Sequence, residues 1–200
     1  MAKPKSMKTK LISIYFLAFG GLGLLLACGS DPIPKPTAYY RIDLPEKRYE
    51  QLDSIPFPFA FELANYAKVN LDRTAEDPEF LNIDYPRFGA RLHLSYKPID
   101  TNAYQMLEDA RSLVYKHVVK AQDIQENIVA NPEAMVYGMY YEIAGNAASS
   151  AQFYLTDSSN HFLRGALYFS VEPNYDSLSP VQNFLKEDIE HMIETFSWEE

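Results

Sequence analysis

Cysteine is almost missing from this chain, which has one, Cys28, among 200 residues. A single cysteine excludes an intramolecular disulfide and the metal sites that are built on several cysteines. The four histidines, at positions 93, 117, 161 and 191, show no His-x-x-x-His or His-Glu-x-x-His spacing. The sequence therefore predicts no metal site and no cofactor.

Motifs for nucleophilic catalysis are missing as well. There is no Gly-x-Ser-x-Gly elbow and no Ser-x-x-Lys in a suitable context. Adjacent carboxylates occur at Glu108-Asp109 and Glu187-Asp188. We expect both pairs on exposed helix faces, whereas acid–base catalysis needs carboxylates in a cleft with shifted pKa values. These absences favour a non-enzymatic protein.

Positive charge is scarce outside the first ten residues. Fourteen basic and 27 acidic residues remain once the four lysines of residues 1–10 are set aside, which leaves a net charge of −13. This balance argues against nucleic acid as a partner, because nucleic acid requires a basic surface. It also argues against electrostatic docking on anionic lipid headgroups.

The N-terminus has the pattern of a lipoprotein signal peptide. Residues 1–10 carry lysines and no acid, and residues 11–27 carry no charge. A basic start followed by an apolar run is typical of an export signal, which is removed from the mature protein. The run ends in Leu-Leu-Ala before Cys28. The sequence predicts cleavage after residue 27, diacylglycerol on the Cys28 sulfur and an acyl chain such as palmitate on the new amino terminus, which together anchor the protein stably.

Residues 28–38 are expected to form a tether between this anchor and a single domain at 39–200. Three prolines at alternate positions favour an extended polyproline stretch. The residue after Cys28 is Gly29 rather than the aspartate that retains enteric lipoproteins at the inner membrane. We therefore expect a lipid-anchored outer-membrane protein that faces the periplasm.

Hydrophobic periodicity predicts an α+β domain. Several segments, such as residues 90–97, alternate apolar and polar residues, as half-buried strands do. Residues 60–71 are predicted to form two short strands or one bent strand, and Gly145-Asn146 is predicted as a turn between two later strands, since both residues accept positive φ.

Two segments carry apolar residues at helical spacing. The first is predicted as a helix that Thr101 or Asn102 caps and that ends near Lys120, and the second as a C-terminal helix that starts at Ser179-Pro180. We expect an antiparallel sheet of six to eight strands, with both amphipathic helices packed on one face in two layers. The order of these elements is similar to the Mog1/PsbP-like fold.

Aromatic residues are abundant, with 15 tyrosines and 12 phenylalanines. Tyrosine is enriched at protein interfaces, because it offers apolar area with a polar tip. Tyr140 and Tyr141 are neighbours on a predicted strand, so they point to opposite faces. We expect one ring in the core and the other either wetted or in contact with a partner. The candidate partner-binding residues are Tyr40, Arg41, Tyr140 and Tyr141.

Several stretches together carry a family resemblance. They are Cys-Gly-Ser-Asp-Pro-Ile-Pro-Lys-Pro from Cys28, Tyr-Arg-Ile-Asp-Leu-Pro-Glu-Lys from Tyr40, and the long block from Gly145 to Phe169. The chain resembles the gliding-motility lipoprotein GldD family of the Bacteroidota. The resemblance implies an envelope lipoprotein, without established catalytic activity, that supports gliding and type IX protein secretion. Its partners would be other envelope proteins of those machines, and the membrane through the lipid.

Two other functions stay open at the level of the sequence. The first is a binding module for a small ligand or an envelope polymer, for which we expect a deep cavity ringed by tyrosine and arginine side chains. The second is a hydrolase that uses His93 or His161 with a nearby serine or aspartate. The second function requires a hydroxyl or carboxylate within hydrogen-bonding reach of the histidine.

Overall fold

This computed structural model describes residues 41–71 and 80–199. In these residues the segments of alternating polarity form strands, ten in all, and the two segments with helical spacing form two α-helices. A short 3₁₀ turn at Pro86–Phe88 follows the fourth strand. The elements are β1 (Tyr49–Leu52), β2 (Phe59–Ala64), β3 (Lys68–Asn70), β4 (Phe80–Tyr85), β5 (Ala90–Pro98), α1 (Ala103–Tyr115), β6 (Ala121–Asn131), β7 (Val136–Gly145), β8 (Ser149–Thr156), β9 (His161–Phe169), α2 (Tyr175–Glu194) and β10 (Ser197–Trp198). The α+β class with an antiparallel sheet and two helices is confirmed.

Seven strands form the main sheet, in the order β3-β4-β5-β9-β8-β7-β6. All neighbouring strands in it run antiparallel. Gly145, at the predicted turn between β7 and β8, has a φ of +99°, a conformation that glycine adopts without strain. The next residue, Asn146, does not share this positive φ, and its side chain instead accepts a hydrogen bond from the Tyr175 N–H at 2.8 Å.

A second, three-stranded sheet was not expected. It has the order β1-β2-β10, so the first and last strands of the described domain both pair with β2. The segment that the sequence predicted as two short strands or one bent strand is divided, because β2 belongs to this sheet and β3 to the main one. Strands β1 and β10 are four and two residues long, which is too short for a periodic signal.

The two helices cover opposite faces of the main sheet. Helix α2 and the small sheet pack on one face, in a core that contains Phe153, Leu94 and Leu185. Helix α1 packs on the other face, where Val114 lies against Tyr141. The expected two-layer arrangement with both helices on one face is therefore wrong. Polar residues on the α1 side of the strands made that face look solvated, although α1 covers part of it.

Two helix boundaries differ from those that the sequence predicted. Helix α2 begins at Tyr175 rather than at Ser179-Pro180, because the Asn174 side chain accepts a hydrogen bond from the Ser177 N–H and caps an earlier turn. Proline then lies inside the helix. Helix α1 ends at Tyr115 instead of near Lys120. After Tyr115 the chain forms turns, in which the His117 N–H donates to the Val114 carbonyl and the Val118 N–H donates to the Tyr115 carbonyl.

All described residues belong to one compact unit. The signal peptide at 1–27 and the tether at 28–38 lie outside the described residues, so the three-part division of the chain stays a prediction. No helix in the described part of the chain combines the length and apolar character that a membrane span requires.

Candidate functional site

Tyr140 and Tyr141 are both buried, with 4% and 3% of their surface exposed. They leave β7 on opposite faces, as the strand period requires. Tyr140 packs in the core beneath α2, and Tyr141 packs against Val114 of α1. Neither ring is exposed, so the expectation that one of them is wetted is wrong, whereas a partner contact at either tyrosine stays a prediction. Helix α1 covers the Tyr141 ring, so both tyrosines pack in buried clusters.

The other candidate residues lie far along the chain from this pair. The Arg41 side chain is 92% exposed and forms an ion pair with Asp43, with Nε and Oδ1 3.3 Å apart. Tyr40 and the lipidation residue Cys28 fall outside the described residues. Of the predicted partner-binding residues that the structure describes, Arg41 is exposed and the two tyrosines are buried.

A cleft of about 630 Å³ lies between the C-terminal half of α2 and the strands β6 and β7. Its carboxylates come from three places: the β6–β7 turn, β7 and α2. They are Glu133, Glu142, Glu190 and Glu194. Tyr140 and Asn127 line the cleft beside them. We refer to this recess as the acidic cleft.

Strand and helix periods bring these side chains together. Tyr140 and Glu142 are two residues apart on β7, so they share a face. Glu190 and Glu194 are four residues apart on α2, so they also share a face. Asn127 lies opposite Tyr140 in the β6–β7 register, and its Nδ2 donates to Glu142 Oε1 at 3.2 Å.

Negative charge in the acidic cleft is only partly neutralised. Lys186 Nζ lies 3.2 Å from Glu142 Oε2, and its side chain is 11% exposed. The pKa of Glu190 is raised, first by burial and then by the neighbouring carboxylates of Glu142, Glu187 and Glu194. Like charges held at this spacing favour the protonated form of one of them.

The Tyr140 hydroxyl has no hydrogen-bond partner among the described residues. Burial raises the pKa of this hydroxyl, and the carboxylates of Glu142 and Glu190, which line the same cleft, raise it further. A buried hydroxyl without a partner is unfavourable by about 1–3 kcal/mol. The acidic cleft thus combines clustered carboxylates with an unsatisfied polar group at its wall.

Asp188 is the centre of a second polar group, on α2. Its carboxylate accepts hydrogen bonds from Lys47 Nζ at 2.9 Å, from the Tyr49 hydroxyl at 2.9 Å and from the Tyr66 hydroxyl at 2.5 Å. Burial and the bond to Asp188 raise the pKa of both tyrosines. Asp188 is 3% exposed, so the expected exposed position of the Glu187-Asp188 pair is wrong for the aspartate. These contacts join the N-terminal strand region to α2.

The histidines do not form a catalytic pair. His93 lies between Leu92 and Leu94, which face the α2 side, so His93 faces the α1 side and meets Tyr168 with ring centroids 5.7 Å apart. His161 faces the α2 side, where its Nδ1 lies 2.8 Å from the Tyr96 hydroxyl. The described residues contain no group of three or more histidine, cysteine or acidic side chains placed to hold a metal ion.

A second cleft, of about 470 Å³, contains the arginine and tyrosine side chains expected for a ligand module. Arg91, His93 and Tyr168 line it. Arg91 is held by two bonds to the Asp84 carboxylate, and this pairing lowers the pKa of Asp84. The arginine is therefore engaged within the sheet.

The sequence alone predicted neither the acidic cleft nor the buried position of Asp188. The spacing of Glu190 and Glu194 was visible, but nothing in the sequence placed them against Glu142, which is 48 residues earlier in the numbering. Asp188 had a usable signal, because it follows the buried Phe184 by one helical repeat of four residues.

The fold and this cleft define the class: an antiparallel α+β domain with an acidic recess at a helix–sheet boundary. A family model described as gliding motility lipoprotein GldD matches residues 29–198. The chain belongs to this GldD family. The family resemblance is confirmed, and membership implies a membrane-anchored envelope lipoprotein that is involved in gliding motility.

The chain is similar to the solution structure of cyanobacterial PsbP (CyanoP) from Synechocystis sp. PCC 6803, with 9% sequence identity, a TM-score of 0.41, and coverage of 82% of this chain and 99% of that chain. At this TM-score the likeness carries no argument about fold or function. No curated protein matches the chain.

Proposed function

We propose that this lipoprotein is a non-enzymatic assembly or stabilising subunit of the envelope machinery for gliding motility and type IX protein secretion. It acts through protein–protein contacts with other envelope proteins of that machinery. The observation that carries the proposal is the family match, which begins at residue 29, directly after Cys28, and runs to residue 198.

The proposed anchor is lipid on Cys28, in the outer membrane with the domain facing the periplasm. The pattern of the N-terminal residues supports it, because the apolar run ends in a small residue followed by the single cysteine of the chain. Gly29 at the next position supports outer-membrane sorting. The proline-rich tether holds the acidic domain away from anionic lipids, which do not attract it.

A clean deletion strain tests the function directly. We expect the deletion to abolish adhesin release into the medium and spreading on agar, and the wild-type gene on a plasmid to restore both. Adhesin in the cell-free medium is quantified by immunoblot, and a protein exported by another route serves as the reference. Normal adhesin release from the deletion strain would contradict the proposal, and loss of spreading alone would restrict it to motility.

The alternative function is a binding module for a small ligand or an envelope polymer, and the cleft beside Arg91 and Tyr168 favours it. An Arg91→Lys variant would then lose more function than its loss of stability, from the broken bonds to Asp84, explains. Under the subunit proposal, Arg91→Lys changes adhesin release no more than it changes stability.

A further inference from the structure

The acidic cleft holds more negative charge than the described residues around it neutralise. Four carboxylates line it, and Lys186 pairs with one of them, Glu142. Glu190 and Glu194 share the same wall of α2. Such an imbalance in a recess attracts a cationic group, because partly desolvated charges interact more strongly than charges in open water.

We propose that the acidic cleft binds a lysine or arginine side chain on an extended segment of a protein partner. This inference rests on the proposed function and names the chemistry of its partner contact. Charge complementarity is the first argument for this occupant. Three further arguments are the buried Tyr140 hydroxyl, the volume and lining of the cleft, and its position beside strand β6.

The Tyr140 hydroxyl is the second argument. The residue is 96% buried, since 4% of its surface is exposed, and its hydroxyl has no partner among the described residues. Tyr140 lines the cleft together with Glu142 and Glu190. A guanidinium or ammonium held by those carboxylates would donate the hydrogen bond that this oxygen lacks, and donors of this kind form the stronger class of hydrogen bonds.

The shape and lining of the cleft favour an organic cation over a metal ion. Its volume of about 630 Å³ far exceeds the space of one water, about 30 Å³. Ile128, Val129 and Ile193 line it together with the carboxylates. Apolar walls suit the methylene stem of lysine or arginine, whose charged end then meets the carboxylates.

The position of the cleft favours an extended protein segment. Strand β6 forms one wall and is the last strand of the main sheet, with eleven residues. An edge strand presents backbone donors and acceptors to which a partner strand can add. A segment paired with β6 would carry alternate side chains toward α2 and so into the acidic cleft.

The binding test uses the full lipidated protein in nanodiscs, with tyrosine labelled at the ring carbon that carries the hydroxyl. The probes are acetyl-Gly-Arg-Gly-amide and its neutral citrulline analogue. We expect the arginine peptide to shift the Tyr140 signal, which a Tyr140→Phe variant identifies, and the citrulline peptide to leave it unchanged. Equal shifts with both peptides, or no shift at all, would overturn the proposal.

Charge-neutralising variants locate the binding. A Glu190→Gln/Glu194→Gln protein should bind the arginine peptide about tenfold more weakly or worse. The matched control, Glu108→Gln/Glu172→Gln, removes the same charge from exposed positions outside the cleft and should bind like wild type. If both variants bind the arginine peptide equally weakly, the loss comes from net charge alone and the cleft proposal fails. If spermidine or Ca²⁺ binds the cleft more tightly than the peptide does, the cleft is a site for a small cation and the proposal of a protein partner fails.

Complementation of the deletion strain separates this inference from the function on which it rests. If the deletion strain secretes normally, the proposed function fails. If the deletion strain is defective and Glu190→Gln/Glu194→Gln restores adhesin release as fully as the Glu108→Gln/Glu172→Gln control, the function stands and the cleft proposal fails. We expect the cleft variant, at equal protein level, to release several-fold less adhesin than the control.

Discussion

At the scale of single residues, Gly165 shows how the sheet makes room for a large core side chain. Gly165 on β9 lies opposite Phe153 on β8, and Phe153 is 2% exposed. A Cβ added at Gly165 would lie 2.2 Å from two atoms of the Phe153 ring. The block from Gly145 to Phe169 that carries the family resemblance therefore contains a structural requirement for glycine.

We expect Gly165→Ala to lower the free energy of unfolding by about 1–3 kcal/mol, because the ring or the strand has to move to admit the methyl group. Urea denaturation of the full chain measures this change. In a Phe153→Leu background the smaller side chain leaves space, so the same substitution should be clearly less unfavourable. Equal losses in both backgrounds would contradict the steric explanation.

At the scale of elements, the long helix α2 serves both the core and two polar groups. One face carries the buried Leu185 and Ile189, another carries Asp188 toward β1, and a third carries Glu190 toward β7. Asp188 stabilises the contact between the N-terminal region and α2, whereas Glu190 lies among like charges. The two carboxylates should therefore respond oppositely to neutralisation.

Asp188→Asn should destabilise the domain by about 2–4 kcal/mol, because it leaves Lys47 and two tyrosine hydroxyls without the charged acceptor that now joins them. The matched control is Glu187→Gln. Glu187 also contacts Lys47, at 3.0 Å, but is 65% exposed, so its loss should change stability by less than about 0.5–1 kcal/mol. Similar urea midpoints for the two variants would rule out Asp188 as the stabilising partner.

Glu190→Gln should stabilise the domain at neutral pH. A carboxyl with a raised pKa in the folded state loses its contribution to stability as the pH rises through that pKa. The substitution should thus raise the thermal midpoint by about 1–2 °C at pH 7 and have no effect near pH 3, below the ordinary glutamate pKa of about 4.3. A gain that is the same at both pH values would contradict the electrostatic cause.

Sequence patterns anticipated the elements better than their arrangement. The alternation through Leu92 and Leu94 predicted β5, and the stripe through Leu185 and Ile189 predicted α2, because both patterns are local. Local patterns do not record which face of a sheet a helix covers. The placement of α1 against Tyr141, which removed that residue from the candidate surface, required the tertiary structure.

The acidic cleft was beyond sequence reasoning for the same reason. Glu142 and Glu190 approach each other because β7 and α2 pack together, and no short-range spacing reports that contact. The Tyr140 hydroxyl illustrates the limit most clearly. A tyrosine on a strand is unremarkable in the sequence, and only its burial without a partner beside two carboxylates makes it a candidate site residue.

At the scale of the whole molecule, we propose that a lipid anchor presents this acidic α+β domain to envelope partners. All described residues belong to one compact unit. We expect the proposed anchor on Cys28 to determine where this unit is presented and to leave its fold unchanged.

The most direct test of this account is adhesin release from a strain whose only copy carries Cys28→Ser. The account predicts that the variant domain unfolds at the wild-type temperature, is absent from the outer-membrane fraction and fails to support adhesin release and spreading. A variant that stays folded, leaves the outer membrane and still releases adhesin at the wild-type level would contradict the central claim that this protein works as an anchored subunit of the secretion machinery.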